Sequence, residues 1–132
     1  MGMTNINEEE LDNEIVSMKT ENGIVFIYFK VEKINLDIAK KLLLIRLEYT
    51  NKKDSIMFID VTNVKEICKD SRDYFGSTEG TKHLIAVAMF TKSKLSVFLV
   101  NFLMNVNLVK NKMPIKLFSD KEKALLWLEN FK

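Results

Sequence analysis

Two short apolar runs constrain this chain more than anything else in it: Ser55-Ile56-Met57-Phe58-Ile59-Asp60 and Leu84-Ile85-Ala86-Val87-Ala88-Met89-Phe90. Runs this short and this continuously apolar predict strands buried on both faces. Such strands belong to parallel sheets covered by helices on both sides. The first run ends on a carboxylate and passes at once into Val61-Thr62-Asn63. Open α/β sheets place their working groups where strands end, so Asp60 and Thr62 form a strand-end site candidate. The two runs are expected to lie side by side at the centre of one layered body.

The flanking segments fit that frame. Residues 14–21 and 24–31 are two strands around Asn22-Gly23, a dipeptide that accepts the positive φ of a tight hairpin turn. Asn35 is an N-cap for a helix over 36–50. Its inward stripe is Ile38, Leu42, Ile45 and Tyr49, flanked by Ala39 and Leu43. A linker over 61–69 leads to a short helix over 71–79, capped by Asp70 or Ser71 and ended by Gly80. Residues 93–109 read as a helix with an unusually wide apolar surface. A last strand over 114–118 precedes Ser119-Asp120-Lys121-Glu122, a capping box opening a final helix. In that helix Ala124, Leu125, Leu128 and Phe131 face inward, with Trp127 at the margin. The order β-β-α-β-α-β-α-β-α gives an α/β fold: a mixed, mostly parallel sheet of about five strands with an N-terminal antiparallel hairpin and about four helices. Residues 1–13 are polar and expected to fray, leaving 14–132 as a single domain.

Composition excludes several function classes. Of 132 residues, 47% are apolar and 29% charged, ordinary values for a soluble globular domain. The most apolar segment, around residues 95–108, is interrupted by Ser96, Asn101, Asn105 and Asn107 and is too short to span a membrane. The N-terminus lacks the regions of a signal peptide, and the single cysteine, Cys68, fits a reducing compartment, so a cytoplasmic location is expected. Charge is uneven: Glu8, Glu9, Glu10, Asp12 and Glu14 crowd the start, whereas residues 80–119 hold lysines and no acid. That stretch lacks arginine, and no exposed aromatic is clearly interleaved with its lysines, which argues against nucleic acid. No glycine-rich phosphate loop, metal-ligand spacing or nucleophile elbow is present, so no cofactor and no metal are expected.

The element order and two motifs resemble the STAS family, the fold of bacterial anti-sigma-factor antagonists of the SpoIIAA type. The motifs are Phe58-Ile59-Asp60-Val61-Thr62-Asn63-Val64, and Lys116-Leu117-Phe118-Ser119-Asp120 with Ala124 and Trp127-Leu128. The resemblance implies a regulatory Ser or Thr at the start of the helix after the central strand, phosphorylated by a partner kinase. Asp70 and Ser71 match the family's Asp-Ser there. Arg72 stands where the family has a second Ser, the following Gly is missing, and the preceding linker is long. The chain is similar to a divergent branch of the SpoIIAA-like proteins rather than to the sporulation regulators.

Each candidate has a structural and a functional reading. Ser71 is either a helix cap or a phosphoacceptor beside Asp70 and Asp73. Asp60 is expected to bond the amides of Thr62 and Asn63 in an Asx turn. His83, the only histidine, is a strand-edge residue, and Cys68 a small apolar group or a thiol near a helix start. The helix over 93–109 is a core helix, a homodimer surface, or the wall of an apolar pocket through Phe98, Phe102 and Met104 beneath Lys92 and Lys94. The expected function is a non-catalytic regulatory or protein-binding module with a protein partner, as a homodimer, with Asp70, Ser71 and Arg72 as docking edge. The alternative is a binder of a small apolar or anionic ligand, which calls for a cavity of ~300 Å³ or more. An enzyme, with its site near Asp60 and His83, would require His83 or Asp60 to share a cleft with a nucleophile.

Overall fold

The structure, a computed structural model, describes residues 10–93 and 113–132. Its elements are β1 (Glu10–Asp12), β2 (Val16–Glu21), β3 (Ile24–Phe29), β4 (Lys33–Ile34), α1 (Leu36–Tyr49), β5 (Ser55–Asp60), β6 (Glu66–Ile67), α2 (Lys69–Phe75), β7 (Leu84–Phe90), β8 (Ile115–Phe118) and α3 (Lys121–Glu129). Among the described residues six strands form one sheet in the order β1-β2-β3-β5-β7-β8. β2 runs antiparallel to both of its neighbours, β1 and β3, while β3, β5, β7 and β8 are parallel. The two apolar runs are the neighbouring strands β5 and β7, and Phe58 pairs in register with Ala88.

Alternation along β3 shows how the sheet is covered. Val25 and Ile27 point to one face, joining Val16, Met18, Met57, Val87 and Met89 beneath Ala39 and Leu42 of α1. Ile24 and Phe26 point to the other, joining Ile56, Phe58, Phe90 and the α3 residues Ala124 and Leu128. Ala86 and Ala88 lie fully buried on this second face. Their small side chains let α3 sit close, with Ala124 meeting them. Phe26, Phe58 and Phe90 form a row across three strands at centroid spacings of 5.3 and 5.4 Å. Lys121 lays its ammonium over the rings of Phe26 and Phe58 and shields the open end of that row.

Local signals explain the element boundaries. Asn22 and Gly23 both have positive φ, as the two-residue hairpin turn requires. The Asn35 side chain accepts the Ile38 amide at 2.9 Å and opens α1. Several expectations need correction. The polar stretch before residue 14 contributes β1, whose three residues pair with Lys19, Met18 and Ser17. The linker over 61–69 contains β6, which pairs with β4 in a separate two-stranded sheet. α2 starts and ends earlier than 71–79: its N-cap is Cys68 and its C-cap is Gly76, not Asp70 or Ser71 and Gly80. α3 is capped by Asp120, which accepts the Lys123 amide at 3.2 Å, rather than by Ser119. The helix expected over 93–109 falls, from residue 94 onward, outside the described residues, as do residues 1–9.

Candidate functional site

The carboxyl ends of β5 and β7 carry the residues that the strand-end rule singles out. Asp60 Oδ1 accepts the Thr62 amide at 2.9 Å, closing the expected Asx turn. Asn63 turns its carboxamide instead toward the Phe29 carbonyl. Thr62 Oγ1 accepts the amide of Lys92, and Thr91 Oγ1, almost fully buried, accepts the amide of Ser93. The Val61 amide bonds the Phe90 carbonyl at 2.8 Å. These polar groups therefore hold two loops together. Lys92 lies at an exposed position.

The small β4–β6 sheet sets the position of α2. The amides of Lys65 and Glu66 both bond the Glu32 carbonyl, and the Cys68 amide bonds the Ile34 carbonyl at 3.1 Å. This places Cys68 at the N-cap with its thiol exposed. Ser71 is fully buried. Its hydroxyl donates to the Ile34 carbonyl at 3.2 Å and lies 3.1 Å from the Cys68 sulfur. The Ser71 amide points at the same sulfur from 3.4 Å. The hydroxyl has one proton; turned to the sulfur in place of the Ile34 carbonyl it stabilises a thiolate, and with the Ser71 amide it draws the Cys68 pKa below its ordinary value. Asp70 is exposed and Arg72 partly exposed, with the buried Nε of Arg72 lacking a hydrogen-bond partner among the described residues. Lys69 pairs with Asp73 one turn on. Asp70, Ser71 and Arg72 thus share one short helix, but only Asp70 and Arg72 reach the surface.

His83 lies elsewhere. It occupies a turn with φ of 63° before β7, and its Nδ1 meets Asp54 Oδ1 at 2.9 Å. Because β5 and β7 are parallel, the start of β7 and the end of β5 lie at opposite ends of the sheet, roughly 16 Å apart at ~3.3 Å per residue. Asp60 and His83 do not meet. Phe98, Phe102, Met104 and Lys94 lie outside the described residues. Among the described residues no cluster of His, Cys, Asp and Glu could hold a metal ion. No helix among them is long and apolar enough to cross a membrane.

Arg46 is a buried charged residue that sequence reasoning missed. It lies on the α1 stripe that buries Ala39, Leu42 and Leu43, only 7% exposed. Nη1 donates to the Lys82 carbonyl at 2.8 Å and Nη2 to the Gly80 carbonyl at 3.1 Å. Burial lowers its pKa to about 10. Beside it, between α1, α2 and the sheet, is an apolar cavity of about 100 Å³. This is smaller than the ligand reading expected. A signal existed: Arg46 follows Leu42 at helical spacing, in a chain whose bases are otherwise lysine apart from Arg72.

A three-layer α/β body with a parallel centre, an antiparallel edge hairpin and α1 and α3 on opposite faces of the sheet is the fold of the SpoIIAA-like, STAS-type proteins. The likeness extends to a solved structure: a DUF3478-family protein with a SpoIIAA-like fold from Shewanella loihica PV-4 superposes with a TM-score of 0.61 at 16% identity, covering 96% of this chain and 99% of that one. The chain belongs to the family described as "Domain of unknown function (DUF7793)", which matches residues 18–132. None of the curated proteins matches.

Proposed function

We propose that the chain is a non-catalytic, STAS-like regulatory module of the cytoplasm that works by docking a protein partner, itself as a homodimer. The supporting observation is the state of the strand-end groups. Asp60 and Thr91 each accept an amide of their own loop and Thr62 accepts one from the neighbouring loop, which supports a braced surface over a reactive cleft. Beside that surface the first turn of α2 offers Asp70 and Arg72 as a charged docking edge, with Ser71 as the internal support that holds it.

The burial of Ser71 shapes the test. A phosphate or carboxylate at this position would be placed against the Ile34 carbonyl in a site closed to water. Ser71→Asp is expected to destabilise the domain by about 3 kcal/mol, read by urea denaturation. An Asp variant as stable as wild type would favour the phosphoswitch reading and move docking to Ser71 itself. Affinity capture then compares wild type with Asp70→Lys and Arg72→Glu, both on or near the surface. Loss of one prey in both variants supports the docking edge, and an unchanged prey set counts against it. Native mass spectrometry reads the homodimer, and a monomer at micromolar concentration rejects that part.

A further inference from the structure

We propose that the α1 side of the sheet holds a binding site for a small monocarboxylate with a short apolar tail, its head on Arg46 and its tail in the adjoining cavity. The inference is independent of docking at α2. Its first observation is a buried cation without an anion. Arg46 carries its guanidinium into an apolar layer, where it meets the carbonyls of Gly80 and Lys82. Among the described residues no carboxylate pairs with it. Carbonyl dipoles satisfy N–H groups but leave the net charge in place, and a buried charge is costly unless it is neutralised.

The second observation is the space beside it. The cavity of about 100 Å³ is bounded by Arg46 and by apolar side chains that include Met18, Leu42, Met57, Val87 and Met89. Methionine is unbranched and adaptable, so these walls reshape around a guest at small cost. Apolar cavities of ~150 Å³ stay dry and take up benzene-sized guests. The smaller space here therefore suits a tail of about four to six carbons.

Charge and size together select the ligand class. A guanidinium presents a planar fork that a carboxylate fills with two parallel hydrogen bonds. A neutral hydrocarbon of the right size would leave the cation as it stands. A phosphate dianion would bring more charge than one arginine neutralises and no tail for the apolar walls. A long acyl chain or a nucleotide exceeds the volume.

The test uses the full chain with its seven methionine methyls labelled with carbon-13. Pentanoate and its neutral counterpart pentanamide are titrated separately and followed by methyl NMR. The site predicts saturable shifts at Met18, Met57 and Met89 with pentanoate at millimolar concentration. Pentanamide should bind about tenfold more weakly or less, because the charge-assisted fork becomes a neutral contact. Val87→Leu, which adds bulk to the cavity wall and leaves Arg46 untouched, should weaken pentanoate several-fold. Absence of saturable shifts in wild type overturns the site. Equal binding of the acid and the amide by the wild-type protein overturns the role of Arg46.

Discussion

A thiol caps α2 where a hydroxyl or carboxylate more often stands, and that substitution changes the thiol more than the helix. The sulfur accepts the Ser71 amide from 3.4 Å, a loose cap, yet the Ser71 hydroxyl at 3.1 Å and that amide together favour the ionised form. The pH dependence of alkylation by iodoacetamide should therefore show a midpoint below that of an ordinary cysteine. Ser71→Ala, which removes the largest contribution, should move the midpoint back up. The sign for stability follows. A depressed acid contributes in full above its unfolded pKa and loses that contribution as pH falls through the folded value. An unshifted midpoint in wild type would mean that the Ser71 hydroxyl spends its proton on Ile34 alone. The residue scale is also where sequence said least. Exposed Cys68 and buried Ser71 invert the usual preferences of the two types, because the backbone of β4 sets their environment and periodicity carries no trace of it.

At the scale of elements, legibility followed how strongly a segment dictates its own conformation. β5 and β7 were readable to the residue because a short apolar run has one economical way to be buried. The hairpin was readable because Asn22-Gly23 accepts a backbone that few other pairs do. The two-residue strands β4 and β6 have no period to detect, and α2 was misplaced because Gly76 and Gly80 both resemble helix stops. The structure separates their roles. Gly76 closes α2 in an ordinary right-handed conformation. Gly80 lies against the helix end, where an added Cβ would come 2.0 Å from the Tyr74 carbonyl oxygen and 2.9 Å from Phe75 Cα. Both obstacles are backbone, so neither can swing aside. Gly80→Ala should destabilise the domain by about 3 kcal/mol, the upper end of overpacking costs. Asn35→Ala loses one capping bond from an otherwise intact helix and should lose about 1 kcal/mol. Urea titrations of the two variants should keep that order. A Gly80→Ala protein as stable as Asn35→Ala would show that the 77–83 turn moves away from α2, and the Arg46 anchor with it.

For the whole molecule, the order of strands in the sheet implies an order of stability. β5 sits between two parallel partners, and Ile56, Met57 and Phe58 are buried on alternating faces beneath helices on both sides. β7 shares this position and adds Ala86, Val87, Ala88, Met89 and Phe90. Opening either strand exposes both cores at once, so their amides should exchange with solvent only through global unfolding. β1 is the opposite case. Among the described residues its three residues pair on one side only, and Glu10 and Asp12 are exposed. Its surface ion pair from Lys30 to Asp12 adds little. Its amides should exchange through local fraying, faster by orders of magnitude. The β4–β6 pair, with α2 hung from Ile34, should fall between, since a two-stranded sheet of two residues each is held mainly by its neighbours. Native-state hydrogen exchange by NMR would rank the three groups directly. Exchange in β5 as fast as in β1 would mean that the parallel centre is not the last part to open. The sheet would then be held from its antiparallel edge, contrary to the burial of its centre.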